Sequence, residues 1–153
     1  MQREAKMSNI ESAIDGLDNG FRKRLIQMPS ENASILANFI LSIKHESASI
    51  SNSHRCNIIK AVYYLSAHLD NIPFKSITRN DFMSFLDSFR KPDNVDSMHK
   101  WIGTYNLYYS LLCRFFKWLY YPDMAPDKRP EPEVIQNIAR QTRKEISNYK
   151  PTG

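Results

Sequence analysis

Residues 97–121, SMHKWIGTYNLYYSLLCRFFKWLYY, carry the most regular pattern in the chain. Large apolar and aromatic side chains recur there every three or four residues, which is the spacing of one face of an α-helix. They are Trp101, Tyr105, Tyr108, Leu112, Phe115 and Leu119. Spacing this regular favours core packing of the rings over a stacking or cofactor-binding role. The stretch predicts a long amphipathic helix that organises a core.

Three shorter helical patterns precede this stretch. The first follows Pro29 with Ser30 as candidate N-cap, the second follows possible caps at residues 51–53, and the third starts at Thr78, whose spacing to Asp81 resembles a capping box. Their apolar stripes are Ile35, Leu36, Phe39, Ile40 and Ile43, then Ile58, Ile59, Val62, Leu65 and Leu69, then Phe82, Phe85, Leu86 and Phe89. With residues 97–121 they predict an all-α, four-helix bundle over residues 30–121.

The two ends of the chain are predicted as extensions of this bundle. Residues 1–29 are expected to form a helical extension over 8–28, interrupted near Gly16 and Gly20. Residues 122–153 hold five of the eight prolines and are predicted as a broken linker, with a helix over 133–146. The modest apolar side of that last helix is expected to pack on something outside the bundle.

Composition limits the classes of function. Lys and Arg outnumber Asp and Glu by 21 to 16, so the net charge of +5 favours polyanionic partners. Cys56 and Cys113 have no zinc-ligand spacing and indicate free thiols. No targeting or membrane-spanning segment is visible, which predicts a cytoplasmic protein. The sequence contains no catalytic motif, so neither a catalytic residue nor a cofactor or metal is predicted.

One side of the 97–121 helix, away from the aromatic stripe, carries cations and hydroxyl groups. Residues 97–121 contain no Asp or Glu, whereas an exposed helix face normally mixes both signs of charge. A surface that follows a phosphate backbone needs cations for charge and hydroxyls for short hydrogen bonds. The candidate DNA-binding residues on this helix are Lys100, Thr104, Ser110, Arg114 and Lys117. The alternative is an ordinary solvated face.

The second core helix has a comparable outer face. Asn57, Lys60 and Tyr64 recur at helical spacing, and Arg55 lies in the first turn, where free backbone N–H groups can also donate to a phosphate. These residues complete the candidate DNA-binding set, although each is also compatible with a solvated or structural role. The basic clusters at residues 22–24 and 140–144 could contact a nucleic-acid backbone or solvate the chain ends, and solvation is the preferred interpretation.

The stretch from residue 50 to residue 119 resembles a known family, the SAM-like core-binding domain of tyrosine recombinases and phage-type integrases. The first matching pattern begins the third helix and consists of Ile77-Thr78, Asp81-Phe82 and Phe85-Leu86. The second ends the fourth helix and consists of Leu112, Phe115-Phe116 and Trp118-Leu119. A proline-containing linker follows, as in the family. Where the family usually starts its second helix with Ser and Thr and a later Tyr, this chain has Ser51, His54 and Ile58. Runs such as residues 100–106 and 116–122 look most similar to archaeal, especially thaumarchaeal, members.

The resemblance implies a DNA-binding role without catalysis. In the family, this lobe lays its second and fourth helices over the major groove of double-stranded DNA, and a separate lobe carries the catalytic arginines and tyrosine. Docking of that kind would use Lys60, Lys100, Thr104, Arg114 and Lys117. The expected partners are duplex DNA and a catalytic domain of the same parent chain, missing here. The fragment is expected to be a monomer or weak dimer, and the parent a tetramer on DNA.

Two other functions stay open from the sequence. In a helical protein-interaction module, the basic face would be solvated and the apolar side of residues 133–146 would bind the partner, with affinity nearly independent of salt. A complete small enzyme would need converging acid and base groups, which the sequence does not show. The salt dependence of DNA binding separates the first of these from a DNA-binding domain.

Overall fold

The computed structural model describes residues 9–47 and 50–142. The described residues form helices and turns without a strand, so the prediction of an all-α fold is confirmed. The helices are α1 (9–14), α2 (Asn19–Gln27), α3 (Ser30–Glu46), α4 (Asn52–His68), α5 (Arg79–Asp87) and α6 (Trp101–Tyr120). Short 3-10 turns lie at Phe74–Ser76, Pro126–Lys128 and Glu133–Ile135. None of the described helices is long and apolar enough to cross a bilayer.

Local signals set several helix starts. Pro29 occupies the N-cap position of α3, which the sequence assigned to Ser30, because proline fits the turn that leads into a helix. Ser51 caps α4, because its hydroxyl oxygen accepts a hydrogen bond from the backbone N–H of His54 at 3.0 Å. Thr78 and Asp81 form a reciprocal capping box at α5, as their spacing predicted.

The longest helix begins later than its pattern predicted. α6 starts at Trp101 rather than near Ser97, because His99 has a positive φ of 53° that a helix cannot contain. The Asp96 carboxylate accepts a hydrogen bond from the Trp101 backbone N–H at 2.9 Å. This bond lowers the pKa of Asp96 and satisfies one of the free donors at the helix start.

The core is centred on α4 and α6. α4 contacts α2, α3, α5 and α6, and the predicted stripes of the core helices face inward. Phe115 is fully buried, and its ring lies edge-on to Phe39 and Phe74 at centroid distances of 5.3 and 5.0 Å. Such pairs add to the stabilisation that comes from burying the rings. The long aromatic stripe is therefore core, as its spacing indicated.

The N-terminal extension is two helices that meet at a turn. Gly16 occupies this turn with φ of 82°, where a side chain would be strained, so the predicted interruption there is confirmed. Gly20 lies inside α2 and interrupts nothing. Ser8, the predicted start of the extension, lies outside the described residues.

The predicted C-terminal helix over 133–146 is wrong over its described part. Only Glu133–Ile135 forms a 3-10 turn, residues 136–137 continue it as an ordinary turn with Asn137 at φ 59°, and residues 138–142 have no regular secondary structure. Val134 and Ile135, which the sequence assigned to an outside partner, are buried against α5 and α6. Side chains of these helices bond the backbone of residues 136–141, which removes the need for the bonds a helix would make. Residues 143–146 lie outside the described part of the chain.

Candidate nucleic-acid interface

Three neighbouring helices are free of acidic residues. α4 lies between α2 and α6 and contacts both. All three helices are fully described, and none contains Asp or Glu, whereas α3 and α5 each contain two. Segregation of this kind gives one side of the bundle a positive potential that extends over three helices. We call the outer faces of α2, α4 and α6 the basic surface.

The middle of the basic surface comes from α4. Asn57 and Lys60 are partly exposed, and Tyr64 is 41% exposed. The Lys60 Nζ lies 5.9 Å from the centroid of the Phe21 ring on α2, a cation–π distance. These three predicted residues therefore share the outer face of α4, as their spacing indicated, and Lys60 is held against α2.

Electrostatic interactions connect this part of α4 to its neighbours. Burial raises the pKa of Tyr108 on α6, with a further increase from Tyr64 and an opposing decrease from Arg24 on α2. Tyr64 on α4 and Arg24 on α2 therefore both lie within electrostatic range of Tyr108 on α6. Arg24 belongs to the cluster interpreted as solvating, yet its guanidinium lies 5.1 Å from the Phe21 ring centroid. The position of Arg24 near Tyr108 could not be predicted from the sequence, because no sequence pattern relates α2 to α6.

The start of α6 forms one end of the basic surface. Lys100 and Thr104 are exposed beside a depression of about 510 Å³. One turn further on, Leu107 is 42% exposed in the middle of the face that the sequence described by its polar residues. Leu107 was missed because it belongs to neither the aromatic stripe nor the set of cations. An isolated exposed leucine is common on protein surfaces and carries no function by itself.

The other end of the α6 face meets the C-terminal segment. Arg114 lies 3.6 Å from a Glu46 carboxylate oxygen, and Ser110 accepts a hydrogen bond from Arg140 at 2.5 Å. Lys117 lines the cleft beside them. The predicted residues of α6 thus divide into two groups, one open to solvent at the helix start and one in a cleft near the helix end.

Arg55 does not belong to the surface that the sequence predicted for it. The residue is only 5% exposed, and its guanidinium donates to the Ala13 carbonyl at 3.0 Å and to the Asn52 side chain at 2.6 Å. Its Nε atom is buried without a hydrogen-bond partner among the described residues. Arg55 therefore connects α4 to α1, and its position in the first turn of α4 faces inward because α1 covers that turn.

His54 instead occupies the outer side of the first turn of α4. Its pKa is lowered by burial and then by the positive charge of Arg114 on α6. A histidine held neutral next to an arginine adds hydrogen-bonding capacity to the basic surface without adding charge at pH 7. No group of three or more His, Cys, Asp or Glu side chains suited to a metal occurs within residues 9–47 and 50–142.

Comparison with protein-family models, curated proteins and solved structures gives no match to this chain. The interpretation of the site therefore depends on its own geometry and charge. The structure excludes Arg55 from the predicted set, because that residue is buried. The outer face of α4 carries Asn57, Lys60 and Tyr64. The remaining predicted residues follow α6 from its start to its end, namely Lys100, Thr104, Ser110, Arg114 and Lys117.

Proposed function

We propose that this chain is the DNA-binding, core-binding domain of a tyrosine recombinase, holding duplex DNA for a catalytic domain on the same polypeptide. The observation that carries the DNA-binding part is the basic surface, in which three adjacent helices lack any carboxylate. The recombinase part rests on the resemblance of residues 50–119 to that family. Cytoplasmic location and assembly of the parent as a tetramer on DNA belong to the same proposal.

The basic surface suits duplex DNA because its cations are spread rather than concentrated. Lys60 on α4 and Lys100 before α6 have no carboxylate partner among the described residues, so no ion pair within that part of the chain neutralises either charge. Their hydroxyl and amide neighbours, such as Thr104 and Asn57, can donate to phosphate oxygens. Contacts of this kind give affinity that falls as salt rises, because bound phosphates release their counterions.

The rival function is a helical protein-interaction module. Its proposed partner-binding feature was the apolar side of residues 133–146. Val134 and Ile135 are 4% and 3% exposed, because the chain itself covers them. Ile138 is partly buried and Ala139 is exposed, so the described part of that feature offers little apolar surface to a partner, which leaves the DNA-binding proposal better supported.

The proposal is tested by titrating labelled duplex with the protein at several salt concentrations. The parent should bind with a dissociation constant of about 10⁻⁴ to 10⁻⁶ M, the range of non-specific binding. Lys60→Gln/Lys100→Gln should reduce the magnitude of the slope of log K against log[salt] by about 1.8, because two phosphate contacts are lost. The matched control, Lys75→Gln/Lys128→Gln, removes the same charge outside the basic surface and should change the slope little.

Two results would count against the proposal. Equal slopes for the two double variants would remove the basic surface from the interface. Absence of duplex binding even at low salt, with both proteins folded by circular dichroism, would favour the protein-interaction module. The recombinase part is tested separately, since it requires an arginine, an HxxR motif and a tyrosine nucleophile encoded after residue 153 of the same reading frame.

A further inference from the structure

A cleft of about 380 Å³ separates α6 from the segment that follows it. Four cationic side chains line the cleft, namely Arg114, Lys117, Arg129 and Arg140, together with the single carboxylate of Glu131. Two of the four cations come from α6 and two from the segment after it. The cleft therefore exists only because residues 126–140 fold back along α6.

The C-terminal part of this segment is held in place by side chains of α6. Tyr109 donates to the Ile138 carbonyl at 2.7 Å, and Asn106 pairs with both the carbonyl and the N–H of Gln141, at 2.7 and 2.9 Å. Between these two attachments, the Arg140 guanidinium donates to the Ser110 hydroxyl at 2.5 Å. Arg140 therefore has a defined position at the mouth of the cleft, although it lies on a segment without regular secondary structure.

The positive charges that line the cleft exceed the negative ones among the residues that the structure describes. Glu46 interacts with both Arg114 and Arg129, at 3.6 and 3.2 Å. Lys117 and Arg140 have no carboxylate partner among the described residues. Two cations directed at one cleft repel each other, and an anion between them would relieve that repulsion.

Two other groups that line the cleft, Tyr109 and Cys113, are neutral at pH 7. Burial raises the pKa of Tyr109 to about 12, with smaller contributions from the Cys113 thiol and other neighbours. Burial also raises the pKa of Cys113 to about 11. Neither group supplies a negative charge, so neither adds to the single carboxylate that Glu131 brings to the cleft.

We propose that this cleft binds a phosphate group, with Lys117 and Arg140 as the two cations left for it and the Ser110 hydroxyl as a further donor. Arginine matches phosphate geometry through two parallel N–H donors, and lysine adds a point charge. Arg114 connects the cleft to the outer face of α6, so the phosphate is a backbone phosphodiester of the duplex. This inference rests on the proposed function, and it adds a residue of the C-terminal segment to the interface.

The experiment compares the parent with Arg140→Gln and with Lys128→Gln, a matched loss of one charge on the same segment outside the cleft. Labelled duplex is titrated at several salt concentrations, and inorganic phosphate is added separately at constant ionic strength while the melting temperature is recorded. Arg140→Gln should lower the magnitude of the log K against log[salt] slope by about 1, and Lys128→Gln should leave it near the parent value. A purely structural role of Arg140 would change its melting temperature but not this slope.

The possible outcomes separate this inference from the proposed function. Duplex binding with the same slope for all three proteins overturns the phosphate site and leaves the DNA-binding proposal standing. If the parent fails to bind duplex, but phosphate raises its melting temperature and not that of Arg140→Gln, the cleft is a site for free phosphate and the proposed function fails. Absence of any response to duplex and to phosphate overturns both.

Discussion

The two segments that flank the core helices are held to them by different forces. The N-terminal pair, α1 and α2, packs through apolar side chains, and Ile10, Ala13, Ile14 and Leu25 are all buried. The described segment after residue 135 is not helical and is held mainly by hydrogen bonds from side chains of α5 and α6 to its backbone. Both segments contact one bundle, yet one interface is largely apolar and the other largely polar.

The difference follows from how each segment satisfies its own backbone. Most N–H and C=O groups inside a helix are bonded within it, so a helix needs only an apolar face in order to dock. A segment without regular secondary structure has no such internal bonds, and each buried carbonyl needs a donor from elsewhere. Arg79 supplies two of these donors, to the carbonyls of Gln136 and Asn137. Such a segment can therefore dock only where the underlying helices present polar side chains at matching positions.

The largest expected effect comes from the core that both segments share. Phe115→Ala removes a fully buried ring that contacts Phe39 and Phe74, and should lower the free energy of unfolding by about 3–5 kcal/mol. Val95→Ala, at a side chain that is 68% exposed, is the control and should change it by less than about 0.5 kcal/mol. Urea denaturation measures both, and equal stabilities would show that Phe115 is not central.

A smaller effect is expected where a polar contact secures the N-terminal pair. Arg55→Leu removes the donor to the Ala13 carbonyl, leaving that buried acceptor unpaired, and should cost about 1–3 kcal/mol of stability. Because the guanidinium is buried, the salt dependence of duplex binding should not change. A lower salt slope with unaltered stability would instead return Arg55 to the DNA interface.

Each hydrogen bond that holds the C-terminal segment should contribute less to the free energy of unfolding than a ring buried in the core. Tyr109→Phe removes the donor to the Ile138 carbonyl and should lower stability by about 0.5–1.5 kcal/mol. It should also increase amide hydrogen exchange in residues 136–142 more than elsewhere. Tyr120→Phe is the control, since its hydroxyl makes only a long, exposed bond of 3.4 Å to the Lys75 carbonyl. Uniform exchange in both variants would contradict docking by side-chain bonds.

The same contrast explains which parts of the molecule were predictable from sequence. Helical stripes and the Thr78–Asp81 capping box depend on residues close in the chain, and the structure confirms them. Residues 133–142 look helical locally, but donors on α5 and α6, distant in sequence, bond the backbone of residues 136–138, and no α-helix forms there. The outer faces of α4 and α6 were predictable by the same periodicity. The burial of Arg55 and the approach of Arg140 to Ser110 were not, because both depend on which segment covers a given face.

The smallest effect on stability should come from the titration of His54, which lies near the cationic end of α6. The cations near the end of α6 include Arg114, whose charge adds to burial in lowering the pKa of His54 on α4. In the unfolded chain the same imidazole should titrate near its ordinary pKa of about 6.5. Between that value and the lowered pKa of the folded protein, the unfolded state binds more protons, so stability should fall as the pH falls through this window.

His54→Gln should remove this part of the decrease and leave stability at pH 8 nearly unchanged. Urea denaturation at pH 8.0, 6.5 and 5.5 measures the difference between parent and variant. If the parent and His54→Gln lose stability equally across the series, neither burial nor the charge of Arg114 lowers the pKa of His54 in the folded protein.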